Sequence, residues 1–295
     1  APVYETYAAA VMADSPIHYY PLNETEGATA ADLGDMAGTG GTYTGGVTLG
    51  QPSVIDKLGT AVRFDGNPGT LVDLGVFHPE NNTISVEAWV NLDPSAQTTW
   101  SAIVTRWDGS FELDFANNTP GFIVYNEAGT FGASAANSPV TRGQWHHLVG
   151  VFVDGKVTIY VDGVKGTEQN IGGGLRNLGP TPDRIMIGAT RNGTESSFNF
   201  KGLIDEVAIY DTGLSAAQVR AHFRAAQPAA APTVSIQRAV MVSWPSFPAG
   251  YNLEAAAKVE GPYQAVTNTP MVDGNKLWLA FPIEPDKSFF RLTKP

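Results

Sequence analysis

The sequence predicts an all-β protein: a two-sheet antiparallel jelly-roll β-sandwich with short flanking helices, plus a small C-terminal β-domain. Three observations carry this. From Ile17 to Gly188 the chain runs in short apolar or alternating stretches separated by Gly, Asn, Asp and Pro clusters, the pattern of many short strands. Within WHHLVGVFVDGKVTIYVDGVKG, Trp145 to Gly166, two Asp-Gly pairs stand between β-branched runs, a strong hairpin signal. The length of 295 residues suits one large β domain and a small one.

The elements follow in chain order. In YETYAAAVMADSP, Tyr4, Tyr7 and Val11 fall at i, i+3 and i+7, so a short helix forms and stops before Pro16. Strands are then expected in TAVRF, LVDL, ISVEAWVNL, SAIVTRW, SFELDF, GFIVY, HHLVGVFV, VTIYV and RIMIG. Asp154-Gly155 and Asp162-Gly163 make a three-stranded meander of the segment that begins at Trp145. His146 and His147 point to opposite faces of its first strand, so they do not share an ion; one is expected buried and hydrogen-bonded, the other toward the second layer or water. Ser215 and Gln218 form a capping box and Leu214 with Val219 a hydrophobic staple, so a second helix starts at Ser215. The stretch QPAAAP, from Gln227, lacks core-forming residues. It bounds a large domain, 1–227, from a linker, 228–232, and a small β-module, 233–295. That module is read from AVMVSW, YNLEAAAK, YQAVTN, KLWLAF and SFFRL.

Composition removes several function classes. Lys+Arg 18 against Asp+Glu 29 leaves a net charge of −11, which repels phosphate-rich partners, so no nucleic acid is expected. There is no Cys, hence no disulfide framework and no thiolate chemistry. No run approaches the length of a membrane span. Only 16% of residues are charged, and Gly, Asn and Thr are plentiful, a composition resembling exported bacterial β-proteins, which sets the expectation of a secreted or cell-surface location. The chain has no P-loop, dinucleotide fingerprint, H-E-x-x-H or G-x-S-x-G motif.

The segments YYPLNETEG, TYTGG, AVRFDG, ISVEAWVN, GQWHHLVGVFVDGKVTIYVDG, IMIG and FKGLIDEVAIYDTGLSAAQV, in this order, resemble the bacterial laminin-G-like, concanavalin-A-like jelly rolls. The resemblance spans roughly Ile17 to Phe223. It implies two packed antiparallel sheets, a structural Ca2+ in many members, and carbohydrate or protein binding as the common use. The C-terminal VSWPSFPAGYNLEAAA, GPYQAV and FFRL resemble small β-modules at the ends of large exported proteins of planctomycete- and verrucomicrobium-like bacteria. The expected partners are accordingly a glycan or cell-surface polysaccharide, and other modules of a larger protein.

Against that background, certain residues stand out. Asp205 alternates with Val207 and Ile209, so its carboxylate is expected on the side they bury, where it needs a cation or hydrogen-bond donors. With Glu24, Asp32 and Asp65 it is the candidate calcium set, and a hydrogen-bonded structural Asp is the equal alternative. Glu112 and Asp114 lie at i, i+2 on one strand face and are similar to the Glu-x-Asp core of laminarinase-like hydrolases. The acid that should follow is replaced by Ala116, Asn117 and Asn118, so no catalytic residue is assigned. Trp100 and Trp107, at opposite ends of one strand with Arg106 and Asp108 beside the second, are the candidate ligand-binding residues, either a sugar platform or lids on the core. The reading is a non-catalytic, calcium-stabilised, lectin-like module. An adhesive spacer and, third, a hydrolase or lyase are the rivals.

Overall fold

A computed structural model of the chain describes residues 6–36, 38, 40–54, 59–96, 99–106, 110–177, 184–190, 198–227, 239–246, 250–273, 276–282 and 289–294. The chain divides into two units, residues 1–229 and 230–295.

The first unit is built from two sheets, each of eight described strands with antiparallel pairing. The first runs β14 (Val164–Asn170), β13 (Lys156–Val161), β12 (Trp145–Val153), β7 (Ile84–Leu92), β16 (Lys201–Tyr210), β5 (Thr60–Asp65) and β4 (Thr48–Pro52), with β1 (His18–Tyr20) also paired to β16. The second runs β11 (Phe131–Ala135), β10 (Thr119–Tyr125), β9 (Phe111–Ala116), β8 (Ser101–Arg106), β15 (Ile185–Ile187), β6 (Leu71–Gly75), β3 (Gly41–Thr44) and β2 (Thr29–Ala30). The Asp-Gly turns take the backbone their sequence demands: φ is 52° at both Asp154 and Asp162, and 71° and 75° at Gly155 and Gly163. Between the sheets lie Val86, Ala88 and Val90 of β7 and Leu148 and Phe152 of β12, facing Phe111, Leu113, Phe115, Phe122 and Val124 of the second sheet. Gly150 makes room there, since a Cβ at that position would stand 2.2 Å from the Phe122 ring. Along one side the sheets are stapled by side chains: the Ser134 hydroxyl donates to Thr167 O at 2.6 Å, and Thr167 Oγ1 accepts from Ala135 N–H at 2.9 Å. Two edges that would otherwise offer unpaired backbone are thereby joined.

Helices α1 (Tyr7–Ala13) and α2 (Ala216–Ala225) contribute Tyr7, Val11 and Val219 to a second apolar cluster, with Trp89, Val149, Val151 and Tyr210 from the face of the first sheet turned away from the core. The capping box at Ser215 and Gln218 is present. Beneath the helices is a buried polar network centred on Glu87, which is 0% exposed. It accepts from Tyr210 Oη, from His147 Nε2 at 3.0 Å and from His222 Nδ1 at 3.0 Å; His222 Nε2 donates onward to Asp14 Oδ2 at 3.0 Å. His147 is therefore structural. Its neighbour His146, on the opposite face, pairs with Asp162 at 2.7 Å.

Two β-bulges alter what alternation predicts. In β16 the register shifts between Asp205 and Ala208, with Glu206 at φ 53°. Asp205 pairs with Trp89 and so faces the helix side, whereas Val207 and Ile209 belong to the inter-sheet core. The expectation that Asp205 shares their side is corrected: one extra residue reverses the alternation. In β8 the shift lies between Ala102 and Val104.

In the second unit β17 (Ala239–Pro245), β21 (Lys276–Pro282) and β20 (Met271–Asp273) form one sheet, and β19 (Gln264–Ala265), β18 (Asn252–Ala256) and β22 (Phe289–Thr293) another. Trp244, Leu253, Leu279 and Phe281 make its core. The proposed linker lies within 228–238, outside the described residues.

Burial alone would raise Glu87 and lower His222, but their pairing dominates: Glu87 is held well below the ordinary carboxylate range, and Glu87 with Asp14 raises His222 to about 9. Because the folded value exceeds the ordinary 6.5, the stabilisation is complete below pH 6.5 and is lost as pH rises through about 9. Urea unfolding should show that alkaline decline in the wild type and a flat profile in His222→Gln. Glu87→Gln, which leaves the imidazolium without its buried counter-charge, should cost about 3–5 kcal/mol at neutral pH. A cost near zero would show that the network carries no stability.

Candidate functional site

The helices cover the outer face of the first sheet, so the outer face of the second is the place to look. On β9, Phe111, Leu113 and Phe115 point to the core, which sends Glu112 and Asp114 outward. Both carboxylates are nonetheless covered, Glu112 at 7% and Asp114 at 1% exposure. The cover comes from Trp100, just before β8, whose indole N–H donates to Asp114 Oδ2 at 2.7 Å. That bond fixes the indole over the strand pair. Burial pushes the Asp114 carboxyl well above the ordinary carboxylate range, the charge of Glu112 adds to this, and the Trp100 N–H only partly opposes it. Asp114 is thus held toward its protonated form.

Beside this pair is an open cleft of about 210 Å³ lined by Trp100, Glu112, Ile123, Tyr125, Phe131 and Phe198. Glu112 forms its floor with Ile123, the neighbour paired to it across β9 and β10. Tyr125 and Phe131 are themselves paired across β10 and β11, rings edge-to-face at 5.5 Å. Trp100 and Phe198 form a second edge-to-face pair at 6.3 Å and 84°. The arrangement presents apolar ring surface around a single acidic group.

Of the residues expected to bind ligand, Trp100 lines this cleft. Arg106 does not. The bulge in β8 inserts one residue after Ala102, so Trp100 and Arg106, six apart, end on opposite faces. Arg106 is 0% exposed and donates to Phe77 O at 3.0 Å. That expectation is corrected. Trp107 and Asp108 lie outside the described residues, as does the expected rim loop from Arg191 as far as residue 197. Sequence reasoning missed Tyr125, Phe131 and Ile123; alternation along GFIVY could have placed Ile123 and Tyr125 on the Glu112 side only with the β9–β10 register in hand.

The four candidate calcium ligands are held by different donors. Asp32 takes His18 Nδ1 at 2.6 Å and the Tyr19 N–H at 2.9 Å, and Asp65 takes the backbone and side-chain N–H groups of Asn67, each at 2.8 Å. Glu24 accepts from Ala31 N–H at 2.8 Å and Tyr43 Oη at 2.6 Å. Asp205 accepts from the Ser53 hydroxyl, and burial pushes its carboxyl up to about 7. The four do not fit one cage: among the described residues no three His, Asp or Glu side chains form a metal-ligand group.

A family model described as "Concanavalin A-like lectin/glucanases superfamily" matches residues 65–220, just over half of the chain. Among solved structures, the binding domain of Paraclostridial Mosquitocidal Protein 1 is similar with TM-score 0.56 and 13% identity, over 85% of this chain and 63% of that one. The receptor binding domain of botulinum neurotoxin D gives 0.53 and 14% identity over 72% and 52%, and that of the C/D mosaic serotype 0.51 and 13% over 72% and 51%. At such identities the likeness is one of fold, and the chain spans between half and two thirds of those structures. No curated protein sequence matches. Among the described residues no helix is long and apolar enough to cross a membrane.

The Asp114 assignment has a measurable consequence. An acid whose folded value is raised has its stabilisation intact below the ordinary 3.8 and loses it as pH rises toward the folded value. Asp114→Asn, whose amide oxygen can still accept from Trp100, should escape that loss. Its thermal unfolding midpoint should match the wild type near pH 4 and equal or exceed it at pH 7. A variant destabilised by more than about 2 kcal/mol at pH 7 would mean Asp114 is ionised and paired in the fold.

Proposed function

The chain belongs to the concanavalin A-like lectin/glucanases superfamily, and on that premise we propose that its first unit is a lectin-like module binding carbohydrate, without cleaving it, in the cleft beside Trp100. The observation that carries this is the pinned indole. A sugar ring offers an apolar C–H face to an aromatic surface and hydroxyl donors at its edge. Trp100, locked by its bond to Asp114, supplies the surface without paying rotamer entropy on binding, and Glu112 supplies the acceptor. The structures of similar fold named above are binding or receptor binding domains, which agrees with a recognition role. Cleavage by the retaining route needs one carboxyl as nucleophile and a second as proton donor to the glycosidic oxygen. Asp114 is tied beneath the indole, and the position where a third acid would follow on β9 is Ala116.

In this reading the module works in a secreted or cell-surface protein, in line with the low charge content, alongside other modules. A structural calcium is proposed at Asp205, the most deeply buried of the expected carboxylates. An ion there would relieve the buried Asp205, and its chemistry would be structural.

Isothermal titration of neutral oligosaccharides should detect weak binding. Trp100→Ala should lower affinity about tenfold, the order expected for losing one stacking partner and its buried area. Binding unaffected by Trp100→Ala, or absent with every glycan, would favour an adhesive spacer. Reducing ends released by the wild type and abolished in Glu112→Gln would instead show a hydrolase. For the ion, added Ca²⁺ should raise the melting temperature and lose that effect in Asp205→Asn, by preferential binding to the folded state. A melting curve indifferent to Ca²⁺ and to chelator would leave Asp205 a protonated, hydrogen-bonded structural residue.

A further inference from the structure

We propose that the cleft receives a 6-deoxyhexose: its preferred ligand is a glycan residue that carries a methyl group where an ordinary hexose carries a hydroxymethyl, with that methyl seated on Ile123 between the two aromatic pairs. This rests on the glycan-binding reading of the same cleft and names the ligand class.

Strand register fixes how the lining is laid out. Glu112 and Ile123 are paired across β9 and β10; on the same sheet face the next pair to one side is Asp114 with Gly121, and to the other side β10 continues to Tyr125. Trp100 is bonded to Asp114 and meets Phe198, and Tyr125 meets Phe131, so one aromatic pair stands at each end of the Glu112–Ile123 floor. Five of the six lining residues, Trp100, Ile123, Tyr125, Phe131 and Phe198, present ring or hydrocarbon surface, and the indole N–H of Trp100 is already donated to Asp114. At about 210 Å³ the cleft is smaller than the about 300–1,000 Å³ of pockets that enclose a drug-sized molecule, so it receives one residue of a glycan rather than a stretch of chain.

That lining selects which end of a sugar goes in. A hydroxyl pushed among the rings gives up its water and costs free energy unless it meets a partner. A methyl makes no such demand and gains burial and dispersion against Ile123 and the rings. In a 6-deoxyhexose the methyl and the ring C–H groups beside it form one apolar end, which enters the cleft while the hydroxyls stay in water at its mouth and the ring stacks on Trp100. An ordinary hexose brings its primary hydroxyl to the same spot, and a uronate brings a carboxylate, whose loss of water is costlier still. An N-acetylated sugar carries its extra methyl behind an amide that would have to enter with it. Phe131, at 49% exposure, is an aromatic ring left at the rim in the free protein, where a ligand would cover it.

The test uses the full chain and two pairs of methyl glycosides, each pair differing only by the 6-hydroxyl: L-fucose against L-galactose, and L-rhamnose against L-mannose. Affinities are measured by NMR titration and contacts by saturation transfer. In at least one pair the deoxy sugar should bind about tenfold more tightly, the order set by keeping one unpartnered hydroxyl out of the cleft, and its C6 methyl should take the strongest saturation from the protein. Ile123→Thr, which puts a hydroxyl in the floor, should bring that ratio below about threefold. Phe131→Ala, at the exposed rim, should also narrow the ratio and guards against an Ile123 variant that fails to fold. Equal or tighter binding of the hexose in both pairs, or a ratio that survives both substitutions, would overturn the 6-deoxy inference while leaving the glycan reading in place. Binding of none of the four glycosides would overturn it as well, and the glycan reading falls with it only if the neutral oligosaccharides also fail to bind.

Discussion

A single buried carboxylate constrains the whole first unit. Glu87 stands on the central strand β7 with no exposure, and an ion removed from water in this way has to be met by donors from every side. The donors come from three further elements: Tyr210 from β16, His147 from β12 and His222 from α2. His222 spends its second N–H on Asp14 at the end of α1, so the charge alternates from Glu87 through the imidazolium to Asp14. With both nitrogens of His222 committed, α2 has one rotation in which it can dock, and α1 follows through Asp14 and Tyr7. Apolar packing on the same face would tolerate a slide; a charge pair at 3.0 Å does not. One whole face of the sandwich is thereby given to the helices, which leave the outer face of the other sheet uncovered.

Local signals carried most of the fold. The Asp-Gly turns, the capping box at Ser215 and the alternation in β9 and β12 each act within a few residues, and each appears in the structure as read. The strand β11, in FGASA, escaped notice because its small residues carry no hydrophobic period; it pairs with β10 and is tied to the first sheet through Ser134, Thr167 and Gln169. The network around Glu87 could not be read at all. Glu87 and His222 are 135 positions apart, and nothing near either names the other. His147 could be judged structural from strand geometry, but its partner could not be named.

The site was partly legible for the same reason. Glu112, Asp114 and Trp100 were picked out by residue type and spacing, and the structure brings them together. Arg106 and Asp205 were misplaced by one cause: each follows or sits at a bulge, and a bulge shifts the period-two pattern by one without altering the composition of the strand. In β8 both Ile103 and Val104 turn inward, which carries Arg106 into the core end of the sandwich with Phe77 and His78. In β16 the bulge turns Asp205 and Glu206 to the helix side, where the Ser53 and Tyr19 hydroxyls donate to them. In β16 a carboxylate that alternation would place in the core is moved to the helix side instead.

The two carboxylates of β9 show how one motif supports different chemistry when its protons are distributed differently. Two acids two residues apart on a buried strand face cannot both ionise cheaply, so one proton is retained, and the structure decides which carboxyl keeps it. In a hydrolase the retained proton must point at the departing oxygen of the substrate. Here Asp114 is the more buried of the two and is bonded to the Trp100 N–H, so its environment serves the indole. Glu112 lies at the cleft among the rings of Trp100, Tyr125, Phe131 and Phe198. Both carboxylates of the motif are therefore present in the fold, and a tryptophan placed over the strand claims one of them.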